Sequence, residues 1–376
     1  MPHPIRVLLV EDSPVVLLIL QRLLATDPEI EVVGAIRSGQ EAIESIPDLQ
    51  PTVICTDYHM PGMNGLEFTQ QVMSQFPCPI LVISTSVHPK ENESNVFRLL
   101  EAGAVDIFPK PKLSSAADYE LLRQNLITKI KVLAGVKVFT RHKLWTSHRK
   151  QNLEHGNPQT EAQQRHSSTT PNSQVSLQSL FQNPSPNSTL QAIAIGASTG
   201  GPQALHTLLT QLPANLPVPV FCVQHISEGF LQGLVNWLSA ECRLPIKIAQ
   251  PGELPIPGVI YFAPERSHLE LGLRGQMVCS STQPVDGHCP SVTVLFRSAA
   301  RRYGNGLVGI LLTGMGRDGA TGMLDIALAG GLTIAQDEQS SVVFGMPKEA
   351  IALGAVKQVL PINAIPAFLS DAFSGC

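Results

Sequence analysis

Short apolar runs that alternate with stretches of helical spacing fall into two blocks of this chain, and little else restricts the fold as much. In residues 5–133 the runs are "IRVLLV", "EVVGAI", "TVICTD", "PILVIST" and "AVDIFP"; from residue 191 they are "AIAIG", "PVFCVQH", "GVIYFAP", "LVGILLTG" and "LTIAQD". Between them, "PVVLLILQRLLA", "LEFTQQVMSQF" and "SNVFRLLEAG" carry helical spacing, and "QALHTLLTQL" sets Leu205, Leu208, Leu209 and Leu212 on one face. "FLQGLVNWLSAEC" does the same with Leu231, Leu234, Val235 and Leu238. Strand alternating with helix in this way predicts parallel sheets covered by helices on both faces, so each block is read as a doubly wound α/β domain.

From residue 141 the composition changes to Gln, Asn, Ser, Thr and Pro with few aliphatics. Such a segment buries too little apolar surface to offset its ordering entropy. The expected organisation is a domain at residues 1–133, a flexible linker at 134–190 and a second domain at 191–376, with "VSLQSLF" as a candidate docking helix inside the linker. A coil of that length reaches roughly 40 Å, enough for more than one arrangement of the domains. The seven cysteines are scattered and form no C-x-x-C pair, which suits neither a disulfide framework nor a metal site and points to a reducing cytoplasm. A net charge of -4, no apolar stretch long enough to span a bilayer and no cleavable signal pattern argue against nucleic acid as main partner and against membrane insertion.

Titratable residues gather at the predicted strand ends of the first block. Glu11 and Asp12 follow the first strand, Asp57 ends the third, Ser84 the fourth, and Lys110 follows the fifth. In an open parallel sheet that edge is where ligands bind. Carboxylates crowded there call for a cation, and hard oxygen donors suit Mg²⁺ beside a phosphate oxygen. Taken singly, such acids also serve as helix caps. In order, "LLVEDSP", "TDYHMPGMNGLEF", "ST" and "KP" resemble the receiver domain of two-component response regulators over residues 5–125. The resemblance implies a flavodoxin-like fold in which Asp57 accepts phosphate from a histidine kinase. It further implies that Asp12, Asp57 and the His59 carbonyl hold Mg²⁺ with Glu11 nearby, that Ser84 is the switch hydroxyl and that Lys110 pairs with the phosphate. Glu11 stands where Asp is more common, and Pro109 precedes the Lys-Pro pair.

In the second block, "AIAIGASTGGPQAL" breaks from strand into glycines around Ser198. The spacing is neither G-x-G-x-x-G nor a Walker loop, which disfavours nucleotide binding. Gly196-Ala197-Ser198-Thr199-Gly200 fits G-x-S-x-G, a strand-to-helix turn that presents a serine; a glycine-flanked helix cap is the simpler alternative. A nucleophilic serine needs a base, and the base needs an acid to fix its tautomer. His225 ends a strand, whereas His206 is expected to face solvent from the next helix, and His268 and His288 fall in loop-like stretches as candidate substrate contacts. Asp318 follows another buried strand; Asp286 is the chief rival, with Asp325 in a helix and Asp337 after a later strand.

The segments "IGASTGGP", "QHISEGF", "YFAPERSHLEL", "PSVTVLF", "GILLTGMGRDGATGM" and "IAQDEQSSVVFGMPKEAI" resemble the catalytic domain of the chemotaxis response-regulator methylesterases, the CheB family, over residues 191 to about 365. This implies a Rossmann-like esterase domain in which Ser198 is nucleophile, His225 base and Asp318 the orienting acid. Thr199 and Met315 line the site, the Met315 N–H contributes to an oxyanion hole, and the esterase chemistry needs no cofactor. It also implies a cytoplasmic enzyme that removes methyl groups from receptor glutamate esters, deamidates receptor glutamines and is switched by its receiver. "QHISEGF" and "PVDGHCPSVTVLF" depart from the family's usual loops, with Thr293 where an acid is more common. The competing readings are a binding module whose triad has drifted and a DNA-binding output; no helix-turn-helix or basic stripe supports the latter.

Overall fold

The computed structural model describes residues 3–85, 93–111, 116–138 and 190–374. The linker expected at 134–190, with its candidate docking helix, lies outside the described residues apart from its ends.

The first unit runs β1 (Ile5–Val10), α1 (Pro14–Leu24), β2 (Ile30–Ile36), α2 (Gly39–Leu49), β3 (Val53–Asp57), α3 (Gly65–Gln75), β4 (Ile80–Ser84), α4 (Glu93–Ala102), β5 (Asp106–Pro109) and α5 (Ala116–Leu133). The strands form a parallel sheet in the order β2-β1-β3-β4-β5. That is the flavodoxin-like order, whose switch point lies between β1 and β3. The inner strands are buried throughout because helices cover both faces, which is why they read as continuous Val/Ile/Leu runs. Local chemistry sets the helix starts: Ser13 caps α1 through Val16 N–H, and Asn64 and Glu67 form a reciprocal capping box at α3.

The second unit runs β6 (Ala192–Ala197), α6 (Gly201–Leu209), β7 (Val220–Gln224), α7 (Leu231–Glu241), β8 (Ile246–Ile248), β9 (Ile260–Phe262), β10 (His268–Leu271), β11 (Met277–Ser280), α8 (Val292–Tyr303), β12 (Leu307–Leu311), α9 (Ala320–Leu328), β13 (Leu332–Gln336), α10 (Met346–Ala352), β14 (Gln358–Leu360) and α11 (Ile365–Ser374). Seven parallel strands lie in the order β14-β13-β12-β6-β7-β9-β8, and β10-β11 form a separate antiparallel hairpin. The chain reverses direction across the sheet between β6 and β12, so the carboxyl ends of these two strands border the crevice where an α/β sheet binds ligands.

Some details differ from the sequence reading. The short strands β8 and β14 at the sheet edges and the β10-β11 hairpin were not expected. Helix α6 ends at Leu209, so Leu212 is buried from the following turn instead of from the helix. His268 is not in a loop: it opens β10 and is fully buried. No described helix is long and apolar enough to cross a membrane.

The two units touch. Helix α4 packs on α7, with the rings of Phe97 and Trp237 stacked 5.6 Å apart. Trp237 Nε1 donates to Glu101 Oε1 at 2.6 Å, and Gln203 Nε2 donates to the Ala104 carbonyl at 2.6 Å. His206 does not point freely into solvent: its ring stacks on Trp237 at 4.8 Å and pairs with Glu241 at 3.0 Å. One apolar cluster runs through Phe97 and Trp237 from the core of the first unit into the second.

Candidate active site

Three strand-end turns of the second unit are stitched together by backbone hydrogen bonds. Ser198 N–H donates to the Thr313 carbonyl at 3.0 Å, joining the turn after β6 to the turn after β12. His225 N–H donates to the Ala197 carbonyl at 3.0 Å, joining the turn after β7 to β6. The buried Gln224 amide donates to the Ser198 and His225 carbonyls, each at 2.8 Å, and ties the two turns again. Gly200 takes φ 75°, which lets the chain turn sharply from Ser198 into α6.

The residues around Ser198 are small because nothing larger fits. A Cβ on Gly314 would sit 2.7 Å from Ser198 Cβ and would strike the Met346 sulfur. A Gly314→Ala change should therefore displace Ser198; a shift near 1 Å costs on the order of 10²-fold in rate. Ester hydrolysis by the purified variant, compared at matched melting midpoint, checks this.

Asp318 is 1% exposed and lies against the N-terminus of α8. Its carboxylate accepts from Ser291 Oγ at 2.8 Å, Val292 N–H at 2.8 Å, Thr293 N–H at 2.9 Å and His225 Nε2 at 2.9 Å. Burial alone would raise its pKa, but the hydrogen bond and charge of His225, with the Thr293 and Ser291 donors, hold it well below the usual carboxylate range. An ionised acceptor on Nε2 fixes the tautomer of His225 and leaves Nδ1 as its basic nitrogen. That Nδ1 is buried and has no hydrogen-bond partner among the described residues. Ser198, Thr199, His225, His288, Met315 and Gly316 line one cleft of about 700 Å³.

The rival groups lie elsewhere. Asp286 sits at φ 51° with its carboxylate on Thr293 Oγ1 and Arg317. Asp325 pairs with Arg297 on the surface, and Asp337 takes Ser340 N–H within its own turn. His268, read from sequence as a candidate substrate contact, accepts from Ser291 N–H at 3.1 Å in the core and so supports the loop carrying Asp318's donors. His225, His288 and Asp318 come close enough to suggest a metal centre. The two imidazoles, however, are parallel within 4° and 3.8 Å apart, so their in-plane lone pairs cannot converge on one ion at about 2.0–2.1 Å.

In the first unit the strand ends bring together Glu11, Asp12, Asp57, Ser84 and Lys110. Asp57 is 2% exposed; Lys110 Nζ reaches Asp57 Oδ2 at 2.7 Å and Glu11 Oε1 at 3.0 Å. Burial raises the Glu11 pKa despite Lys110, and its Oε2 is buried with no partner among the described residues. Lys110 is held above its usual range because the Asp57 and Glu11 contacts outweigh the opposing effect of burial. One oxygen each from Glu11, Asp12 and Asp57 lies within 4.8 Å of the others. Ser84, buried at the end of β4, stands on the next strand beyond Asp57.

The comparisons with known proteins cover both units. The family model described as CheB methylesterase matches residues 193–369, and the response regulator receiver domain model matches residues 7–117. A Nitrosospira multiformis protein named protein-glutamate methylesterase/protein-glutamine glutaminase is 40% identical over 98% of this chain and 96% of its own length. A Syntrophus aciditrophicus protein of the same name, numbered 1, is 38% identical over 96% of each. The crystal structure of the Thermotoga maritima CheB methylesterase catalytic domain is 36% identical, with a TM-score of 0.48, covering 49% of this chain and 99% of that one. The chain belongs to the CheB methylesterase family, with a response regulator receiver domain preceding the methylesterase domain.

Proposed function

We propose that Ser198, His225 and Asp318 carry out the protein-glutamate methylesterase and protein-glutamine glutaminase chemistry of this family on receptor side chains. The reading is supported chiefly by the 2.9 Å contact from Asp318 to His225 Nε2 in the cleft that also holds Ser198. His225 Nδ1 takes the Ser198 proton as Oγ forms a bond to the ester carbonyl carbon. The Met315 N–H, in the turn beside Ser198, faces the developing oxyanion, with Thr199 lining the site. As the C–O bond breaks, His225 gives its proton to the departing methanol. Water, deprotonated by the same imidazole, then hydrolyses the acyl-serine and regenerates the hydroxyl and a glutamate carboxylate. A glutamine amide follows the same path and releases ammonia. The proposed substrates are methyl-accepting chemotaxis receptors, and the proposed compartment is the cytoplasm.

The proposed domains are a receiver at 1–133, a linker at 134–190 and the catalytic domain at 191–376. Asp57 is the proposed phosphoacceptor from a chemotaxis histidine kinase. Glu11, Asp12 and Asp57 fit a Mg²⁺ ion, since Glu11 Oε2 is a buried oxygen that no donor among the described residues satisfies. Bound there, Mg²⁺ would offset charge on the incoming phosphoryl group. Lys110 and Ser84 are the groups placed to answer phosphorylation of Asp57.

Receiver residues Phe108, Pro109, Leu121 and Leu122 form the other wall of the Ser198 cleft. In this docked arrangement the receiver restricts access of a receptor helix to the serine. Phosphorylation raises activity to the extent that it disfavours docking. Methanol release from methylated receptors should rise about 5- to 150-fold when the full chain receives Mg²⁺ and a small-molecule phosphodonor, a typical range for coupled sites. Asp57→Asn should show no rise. Equal rates with and without the donor would contradict the gating, and no release in either state would contradict the esterase.

A further inference from the structure

One half-buried titratable side chain beside the cleft has no part in the chemistry above. The His288 ring lies parallel to that of His225, with centroids 3.8 Å apart and planes 4° apart. Its Nδ1–H donates to the Asp286 carbonyl at 2.9 Å, which leaves the lone pair on Nε2. Asp286 is itself held by Thr293 Oγ1 at 3.3 Å and Arg317 Nε at 3.4 Å. The loop thus anchors the His288 ring without help from His225. Burial and the neighbouring His225 push the His288 imidazole below its usual range, which favours its neutral form.

We propose that His288 is a positioning residue for His225: its neutral ring face fixes the plane of the base and lies against the imidazolium formed when Ser198 gives up its proton. Asp318 holds His225 at a single atom, Nε2, about which the ring can still tilt. A parallel ring at van der Waals distance removes that freedom and keeps Nδ1 on one bearing. The face of an aromatic ring also attracts a cation, so the stack can hold the imidazolium in place once Ser198 has given up its proton. A second cation at that distance would repel it, so the partner must be neutral.

The inference rests on the esterase reading, which release of methanol by the phosphorylated wild-type chain tests without any His288 variant. His288→Phe keeps a flat neutral ring and should hold kcat within about threefold of wild type, with KM unchanged. His288→Leu fills similar space without a π face and should lower kcat about tenfold at the same KM, the scale of one cation–π contact. His288→Met is the second ringless variant and should fall with Leu; melting midpoints within a few degrees of wild type show which variants are folded. Equal kcat in the Phe and ringless variants would overturn the proposal. So would a loss on the order of 10⁴ in His288→Phe, which would make His288 the base itself. A raised KM at unchanged kcat would make it a substrate contact. Absence of release by the wild-type chain would remove the esterase reading and this inference together, a result no His288 variant can produce.

Discussion

Ser198→Ala should lower methanol release from methylated receptors by a factor on the order of 10⁴–10⁶, while leaving the melting midpoint close to wild type. The size follows from chemistry: without a hydroxyl no acyl-enzyme forms, and only the oxyanion donors and binding contacts are left to speed attack by water. The fold should tolerate the change because the contacts that place this residue use its backbone. Its N–H bonds the Thr313 carbonyl, and its carbonyl accepts from Gly201 N–H and Gln224 Nε2. The check is methanol release by the phosphorylated chain beside a thermal melt. A rate within tenfold of wild type in a folded variant would remove Ser198 from the mechanism.

Asp318→Asn should cost on the order of 10⁴ in kcat, because an amide facing His225 Nε2 stabilises the wrong tautomer. The neighbouring donors sharpen this. Ser291 Oγ and the Val292 and Thr293 N–H groups all point at the carboxylate, so only one atom of an asparagine can accept from them and its NH₂ is driven toward His225. The Ser198→Ala/Asp318→Asn double variant should be no slower than Ser198→Ala alone, since the acid acts through the base on the nucleophile. The pH dependence follows from the same contacts. The folded-state pKa of Asp318 is depressed, so its contribution to stability is fully present above the unfolded value of about 3.9 and is lost progressively as pH falls from there through the lower folded value. Wild type should therefore lose stability below about pH 4 more steeply than Asp318→Asn, a difference that melts taken from pH 7 down to pH 3 would show. Parallel curves would mean that Asp318 is not charged in the folded state.

The long inner strands were legible in the sequence because a parallel sheet buried on both faces demands continuous Val/Ile/Leu runs, as in "ILVIS" and "LVGIL". The edge strands β8 and β14 carry no such mark: they are three residues each, and Val359 is exposed. The hairpin β10-β11 contains the polar residues Glu270 and His268, held by Ser280 across the hairpin and by Ser291 beyond it, so its alternation is not that of a plain apolar strand. Ser198, His225 and Asp318 could be put forward as candidates because each lies in the turn that follows a recognisable strand, where topology gathers side chains at one sheet edge. Gln224, Ser291 and His288 were not, since their roles arise from contacts across 26 and 27 residues or from a ring stack between two loops. Docking of α4 on α7 has no local signal either: Phe97 and Trp237 read as ordinary core residues of their own helices. His206 was misjudged for the same reason, because the Trp237 ring that covers it belongs to another helix.

Every step proposed above for the ester chemistry depends on an activated serine in this crevice. The most direct test is reaction of the phosphorylated full chain with a fluorophosphonate, followed by peptide mass spectrometry. One covalent adduct is expected, on the peptide carrying Ser198, with labelling abolished in Ser198→Ala and strongly slowed in Asp318→Asn. An adduct on another residue, or no adduct from a chain that still releases methanol, would contradict it.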